Sequence, residues 1–142
     1  MCIEPLNRFE TYFLNTVQDA SQLVRDVGAN NLRIHFDTFH ANIEERHPAD
    51  SLRANGRELG HVHISENDRG IPGTGHNDWR GILSALKEIG YAGWLTIESF
   101  AQPEPDLAAA AAIWRDLAPS GDELARRGLE FLKGLTRELG IS

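Results

Sequence analysis

The sequence predicts an α/β fold built on one parallel sheet with a barrel-like inner face, and three observations carry that expectation. Four short apolar segments recur along the chain, at residues 2–4, 32–37, 61–64 and 94–98. The stretches between them match the length of a strand–helix unit, roughly 30 residues. Each segment also has one apolar and one polar face. Ile3, Ile34, Phe36, Val62, Ile64, Leu95 and Ile97 fall on the first, and Glu4, His35, Asp37, His61, His63, Thr96 and Glu98 on the second. Open parallel sheets bury both faces and read as continuous apolar runs, so a polar inner face suits a barrel interior better.

The elements follow in order. Residues 6–15 read as a loop with aromatics. A helix is expected over 16–27, where Val17, Ala20, Leu23, Val24 and Val27 keep helical spacing and Gly28 stops it. Residues 32–37 form the second strand, and His40 lies in the loop after it. Residues 42–48 are loop, and a shorter helix covers 49–55. The third strand, 61–64, leads into a long polar loop over 65–78 containing Gly70, Pro72, Gly73 and Gly75. Asp78 caps a helix whose Trp79, Ile82, Leu83, Leu86 and Ile89 form an apolar stripe. The fourth strand, 94–98, precedes an alanine-rich helix over 106–117. Pro119-Ser120-Gly121 breaks the chain before a last helix from Asp122 to about residue 139. The alternation of strands and helices indicates a parallel sheet in one domain, 1–142.

Composition narrows the function classes. A net charge of −7 without a Lys/Arg run argues against nucleic acid as a partner. No stretch approaches the roughly 20 apolar residues of a membrane span. The single Cys2 excludes an intramolecular disulfide, and with no leader-like segment before the first strand a cytoplasmic setting is expected. Met1 stands so close to Glu4 that the first strand is a stub beside the usual strand of roughly five residues. The chain is therefore expected to begin partway through a larger architecture.

The strand tips carry the chemistry. Glu4, Asp37, His63 and Glu98 end successive strands, and parallel strands bring those ends to one rim. Three carboxylates there repel one another unless a dication joins them. A carboxylate-rich set with one imidazole favours Mn²⁺, Mg²⁺ or Co²⁺ over a thiolate-type zinc site. Of His61 and His63, the latter lies nearer the rim and is the expected ligand, leaving His61 to support it or pack. Glu10, His40 and Arg69 add a polar ring suited to hydroxyl groups. His35, His47 and His76 are expected to be structural. The run Ile71-Pro72-Gly73-Thr74-Gly75 lacks a following Gly-Lys-Ser and is not a phosphate loop. A metal held by adjacent oxygens of a hydroxyketone acidifies the C–H between them and stabilises the enediolate. Carboxylates on either side of that carbon, Glu4 and Glu98, can then remove the proton from one face and return it on the other, giving an epimer.

At these residues the sequence resembles the ketose 3-epimerases (the D-tagatose/D-psicose 3-epimerase group) of the xylose-isomerase-like TIM barrel superfamily. The matching stretches are Glu4-Pro5-Leu6-Asn7-Arg8-Phe9-Glu10, then Asp37-Thr38-Phe39-His40-Ala41-Asn42-Ile43-Glu44-Glu45. Gly60-His61-Val62-His63 follows, with Asn67-Asp68-Arg69-Gly70-Ile71-Pro72-Gly73 and Ile97-Glu98-Ser99-Phe100. The likeness runs from about residue 2 to 117. It implies Glu4, Asp37, His63 and Glu98 as ligands of one divalent metal, usually Mn²⁺, with Co²⁺ and Mg²⁺ accepting the same set. It implies Glu4 and Glu98 as the acid–base pair, and Glu10, His40 and Arg69 as contacts to the oxygens of a ketose substrate.

The resemblance further implies half of a (β/α)8 barrel, strands five to eight, since members of that group are about twice this length. Either the chain is a fragment, or a second copy completes a barrel of four plus four strands as a homo-oligomer. The competing readings are a non-catalytic metal-binding half-barrel or inactive fragment, and a related superfamily enzyme such as a hydroxypyruvate isomerase. An abasic-site endonuclease is disfavoured by the acidic charge.

Overall fold

The computed structural model describes residues 1–101 and 103–141. Four strands, β1 (Cys2–Ile3), β2 (Arg33–Asp37), β3 (Leu59–Ile64) and β4 (Leu95–Ile97), form one parallel sheet in the order β1-β2-β3-β4. The fold is a four-stranded α/β half-barrel. Consecutive strands are neighbours, so every crossover lies on the same side of the sheet, where the helices cover the apolar strand faces.

Helix α1 (Val17–Val27) shows how local sequence sets an element. The Thr16 side chain accepts a hydrogen bond from Asp19 N at 3.2 Å and caps the first turn. Val17, Ala20, Ser21 and Val24 fall on one buried face, and Gly28 ends the helix at φ 66°. Helix α4 (Trp79–Glu88) repeats the design with Asp78 as cap and Trp79, Ile82, Leu83, Ala85 and Leu86 buried. The last helix, α6 (Gly121–Glu138), is capped by Ser120 and buries Leu124, Gly128, Leu132 and Leu135. Ile34, Phe36, Val62 and Ile64 from the two central strands meet these helices in one core, with Ile3, Leu95 and Ile97 at its margins.

Register decides which side chains meet on the opposite face. His35 pairs with His61, Asp37 with His63, and His63 with Thr96. The β2–β3 ladder slips between Ile34 and His35, where Gly60 is the extra residue. A Cβ on Gly60 would stand 2.5 Å from Arg33 Cβ, so only glycine lets the strands close over the irregularity. Without that slip, the inward residues of β3 would turn to the helix side.

Several boundaries differ from the sequence expectation, among them the start of β3 at Leu59 rather than at 61. β2 runs directly into a helix, α2 (Thr38–Glu44), where a loop was expected, because the Asp37 carboxylate caps it. The expected helix over 49–55 is present as α3 (Pro48–Asn55), followed by a 3-10 turn at Gly56–Glu58. The alanine-rich helix α5 stops early, at Pro105–Ala110, and Ala112 takes φ 54°. None of its residues is buried, so propensity alone does not hold the longer helix.

Phe36 is 1% exposed at the centre of the core. Phe36→Ala is expected to lower unfolding free energy by about 3–5 kcal/mol, read as a reduced urea midpoint at unchanged slope.

Candidate metal and active site

All four predicted strand-tip residues reach the same rim. Ligand atoms of Glu4, Asp37 and His63 lie within 4.8 Å of one another. Glu98 joins through His63, whose Nδ1 is 3.4 Å from Glu98 Oε1 and 3.7 Å from Asp37 Oδ2. Glu98 stands outside the tighter group because its other oxygen pairs with Arg69. The His63 Nδ1 atom is buried without a hydrogen-bond partner, facing carboxylate oxygens. An orphaned imidazole nitrogen among three carboxylates fits a hard or borderline dication, so the donor chemistry suits the metal that the sequence pattern implies.

Asp37 serves two elements at once. Its Oδ1 accepts from Phe39 N at 2.6 Å and His40 N at 3.4 Å, capping α2, while Oδ2 faces His63 and Arg69. The helix N-terminus favours the anion. Burial opposes ionisation of Asp37, but the close approach of His63 and Glu98 and the charge of Arg69 outweigh it and hold the carboxyl at about 2. Glu98 is shifted upward, by burial first and then by Asp37. In this pair Asp37 stays ionised and Glu98 keeps the proton longer. Burial, followed by the charges of Asp37 and Glu98, pushes Glu4 up to about 7. The adjacent Asp37 raises His63.

The three expected ring residues sit around this rim in different roles. Arg69 is 7% exposed, with its guanidinium 3.9 Å over the Phe39 ring and 5.1 Å from the Phe100 ring. It bonds Glu98, Asp37 Oδ2 (3.4 Å) and Ser65 Oγ (3.3 Å), and so neutralises the rim from within. Its backbone takes φ 66°, uncommon for a residue with a side chain, and the Ser99 hydroxyl donates to its carbonyl. His40, reaching in from α2, accepts at Nδ1 from Asn7 N at 3.1 Å. Its Nε2 lies 3.4 Å from Arg69 Nη2 and 4.0 Å from Glu4 Oε1, between a cation and a carboxylate of the rim. Glu10 accepts from the Asn7 side chain at 2.8 Å and remains the most open of the three. A hollow lined by Trp79, Phe131 and Leu135 lies elsewhere on the surface.

Two residues that matter here escaped the sequence reading. Asn7 is 2% exposed and orients both His40 and Glu10. Glu66 is fully buried; its carboxylate accepts from Asn67 N, Gly73 N, Asn77 N and Trp79 Nε1 at 2.8–3.3 Å. It ties the 65–78 loop, and with it Arg69, to α4. A carboxylate directly after a strand, with Trp and several glycines downstream, was the available signal.

The chain belongs to the xylose isomerase-like TIM barrel family, whose model matches residues 1–135. Within that class several of its relatives are named as sugar epimerases. It is 41% identical over 136 residues to a D-psicose 3-epimerase of Agrobacterium fabrum, covering 92% of this chain and 47% of that protein. It is likewise 41% identical over 133 residues to an L-ribulose 3-epimerase of Methylomonas sp. (92% and 46%). The crystal structure of a D-allulose 3-epimerase from Methylomonas sp. in complex with D-allulose superposes with a TM-score of 0.88 at 41% identity, covering 94% of this chain and 47% of that one. The chain spans about half the length of the curated relatives it matches.

Glu66→Ala leaves four N–H groups without their acceptor and is expected to cost more than about 3 kcal/mol, measured by chemical denaturation. Glu4 predicts a pH signature in the metal-free protein. Its carboxyl titrates at about 7 folded against 4.5 ordinarily, so the folded state holds more protons between those values. That contribution to stability is full below 4.5 and is lost as pH rises to 7. His35, pulled down to about 4 by burial and the neighbouring imidazoles, acts with the opposite sign below 6.5. The difference in melting temperature between wild type and Glu4→Gln isolates the Glu4 part and should move against the wild type from pH 4.5 to 7.

Proposed function

We propose that this chain carries the metal-binding, acid–base face of an epimerase that inverts C3 of a free ketose. The observation that carries the reading is the placement of two glutamates, Glu4 and Glu98, on the outer strands of one rim with Asp37 and His63 between them. The likeness to proteins named as 3-epimerases of psicose, ribulose and allulose supports it.

Glu4, Asp37, His63 and Glu98 would hold one dication, Mn²⁺ by preference, with Co²⁺ and Mg²⁺ accepting the same donors. When bound, such an ion stabilises negative charge on two neighbouring oxygens of a hydroxyketone. One glutamate takes the C3 proton and the C–H electron pair passes into an enediolate. The second glutamate delivers a proton to the opposite face of C3. One C–H bond breaks and one forms, so the reaction needs no co-reactant. Glu10 and the His40 ring offer polar contacts to sugar hydroxyls, and Arg69 keeps Glu98 on the rim. Strands β1 and β4 are the outer strands of the sheet, and a second half-barrel, from another copy or from a longer chain, would cover those edges. The exposed free Cys2 accords with a cytoplasmic setting.

Mn²⁺ is expected to raise the melting temperature, and the Mn²⁺-loaded chain to interconvert fructose and psicose while light scattering reports its mass. Glu98→Gln should keep the fold and lower turnover about 10²–10⁴-fold. Unchanged turnover in that variant removes Glu98 from the role. A folded, metal-loaded chain of any mass without epimerase activity refutes catalysis by this chain.

A further inference from the structure

One cluster on the inner face shares only His63 with the acid–base rim. His35, His61 and His63 offer ring nitrogens that all lie within 4.8 Å of one another. The β2–β3 register makes this so, because His35 pairs directly with His61 and His63 follows two residues along the same face. The rings meet edge to face, with centroids 4.0 Å apart for His35–His63 and 5.0 Å for each of the other pairs. His35 Nδ1 is engaged 3.5 Å from Glu4 Oε2, while its Nε2 is buried and without a partner. Structural histidines in a folded interior ordinarily satisfy both nitrogens. Here two of the three rings each present an orphaned buried nitrogen.

We infer that His35, His61 and His63 form a second cation position, one layer below the carboxylate-rich rim, that takes a borderline transition-metal ion such as Zn²⁺. Three imidazoles with an open fourth position match zinc's preferred coordination, and nitrogen donors select against Mn²⁺ and Mg²⁺. The two positions have His63 in common. Two dications held against one imidazole repel each other at short range, so zinc at the lower position weakens binding at the rim and the two ions compete. The inference rests on the geometry of the three rings and not on the proposed epimerase activity.

The test is a Zn²⁺ titration of the full chain, with zinc-edge X-ray absorption at one equivalent and Mn²⁺ binding followed by electron paramagnetic resonance. The expected spectrum shows three imidazole nitrogens. His61→Asn should weaken Zn²⁺ binding about tenfold or more, and far more than it weakens Mn²⁺ binding, for which His61 is not a donor. In the wild type, added Zn²⁺ should displace Mn²⁺. An oxygen-dominated zinc shell, an unaltered Zn²⁺ affinity in folded His61→Asn, or simultaneous binding of both ions without competition would overturn the inference. If His61→Asn does not fold, the wild-type spectrum and competition decide it. Loss or absence of epimerase activity bears on the rim and not on this position.

Discussion

Three carboxylates at the ends of neighbouring parallel strands face one another across a partly dry surface, and their mutual repulsion is the constraint around which the molecule is arranged. Arg69 meets it. Its guanidinium reaches Glu98, Asp37 and Ser65 while lying against Phe39 and close to Phe100. The charge is largely removed from solvent, so its interactions are screened less than those of a surface pair. Holding it there requires a left-handed backbone conformation at Arg69, braced by the Ser99 hydroxyl, and a loop pinned from below by Glu66. Burial first, and then the same repulsion, raises Glu4 and Glu98, while Asp37 alone is held strongly ionised.

Rigidity at the rim comes from side chains that each serve two neighbours. Asp37 ends a strand, caps a helix and faces the imidazole of His63. Asn7 orients His40 and Glu10 together. The Thr38 hydroxyl donates to Ser65 O at 2.6 Å and accepts from Ser65 N at 2.7 Å, binding the end of β2 to the end of β3. Such dual contacts let a sheet of short strands hold polar groups in register where a loop would not. They also make the lower layer of three histidines a direct consequence of the register that sets the rim, since both layers belong to the same pair of strands.

The barrel character shows in what the inner face lacks. Apolar residues of β2 and β3 are buried against helices, whereas the rim residues Glu4, Glu98 and His63 are only partly covered. Trp94, beside the edge strand β4, is 82% exposed. These are the surfaces that a complete barrel encloses, and the relatives that share this fold are about twice the length.

Much of this was legible in the chain. Alternating strand faces and helical stripes ending at Gly28 or starting at Asp78 are local signals, and the core followed them: Ile34, Phe36, Val62 and Ile64 are all buried. The donor-bearing residue types and their strand-end positions are equally local, which is why Glu4, Asp37, His63 and Glu98 could be expected at one rim from the sequence. Helix α2 was not read because its cap, Asp37, looked only like a ligand, and α5 was read too long because alanine propensity says nothing about packing. Asn7, Glu66 and the histidine triad escaped because their meaning lies in partners 7 to 33 residues away. Residue type and periodicity act over a few bonds and so define elements and the donors they carry. Register, charge balance and shared hydrogen bonds act across the sheet, and only packing determined that Arg69 would turn inward to Glu98, that Gly60 would set the strand slip, and that three imidazoles would meet below the rim.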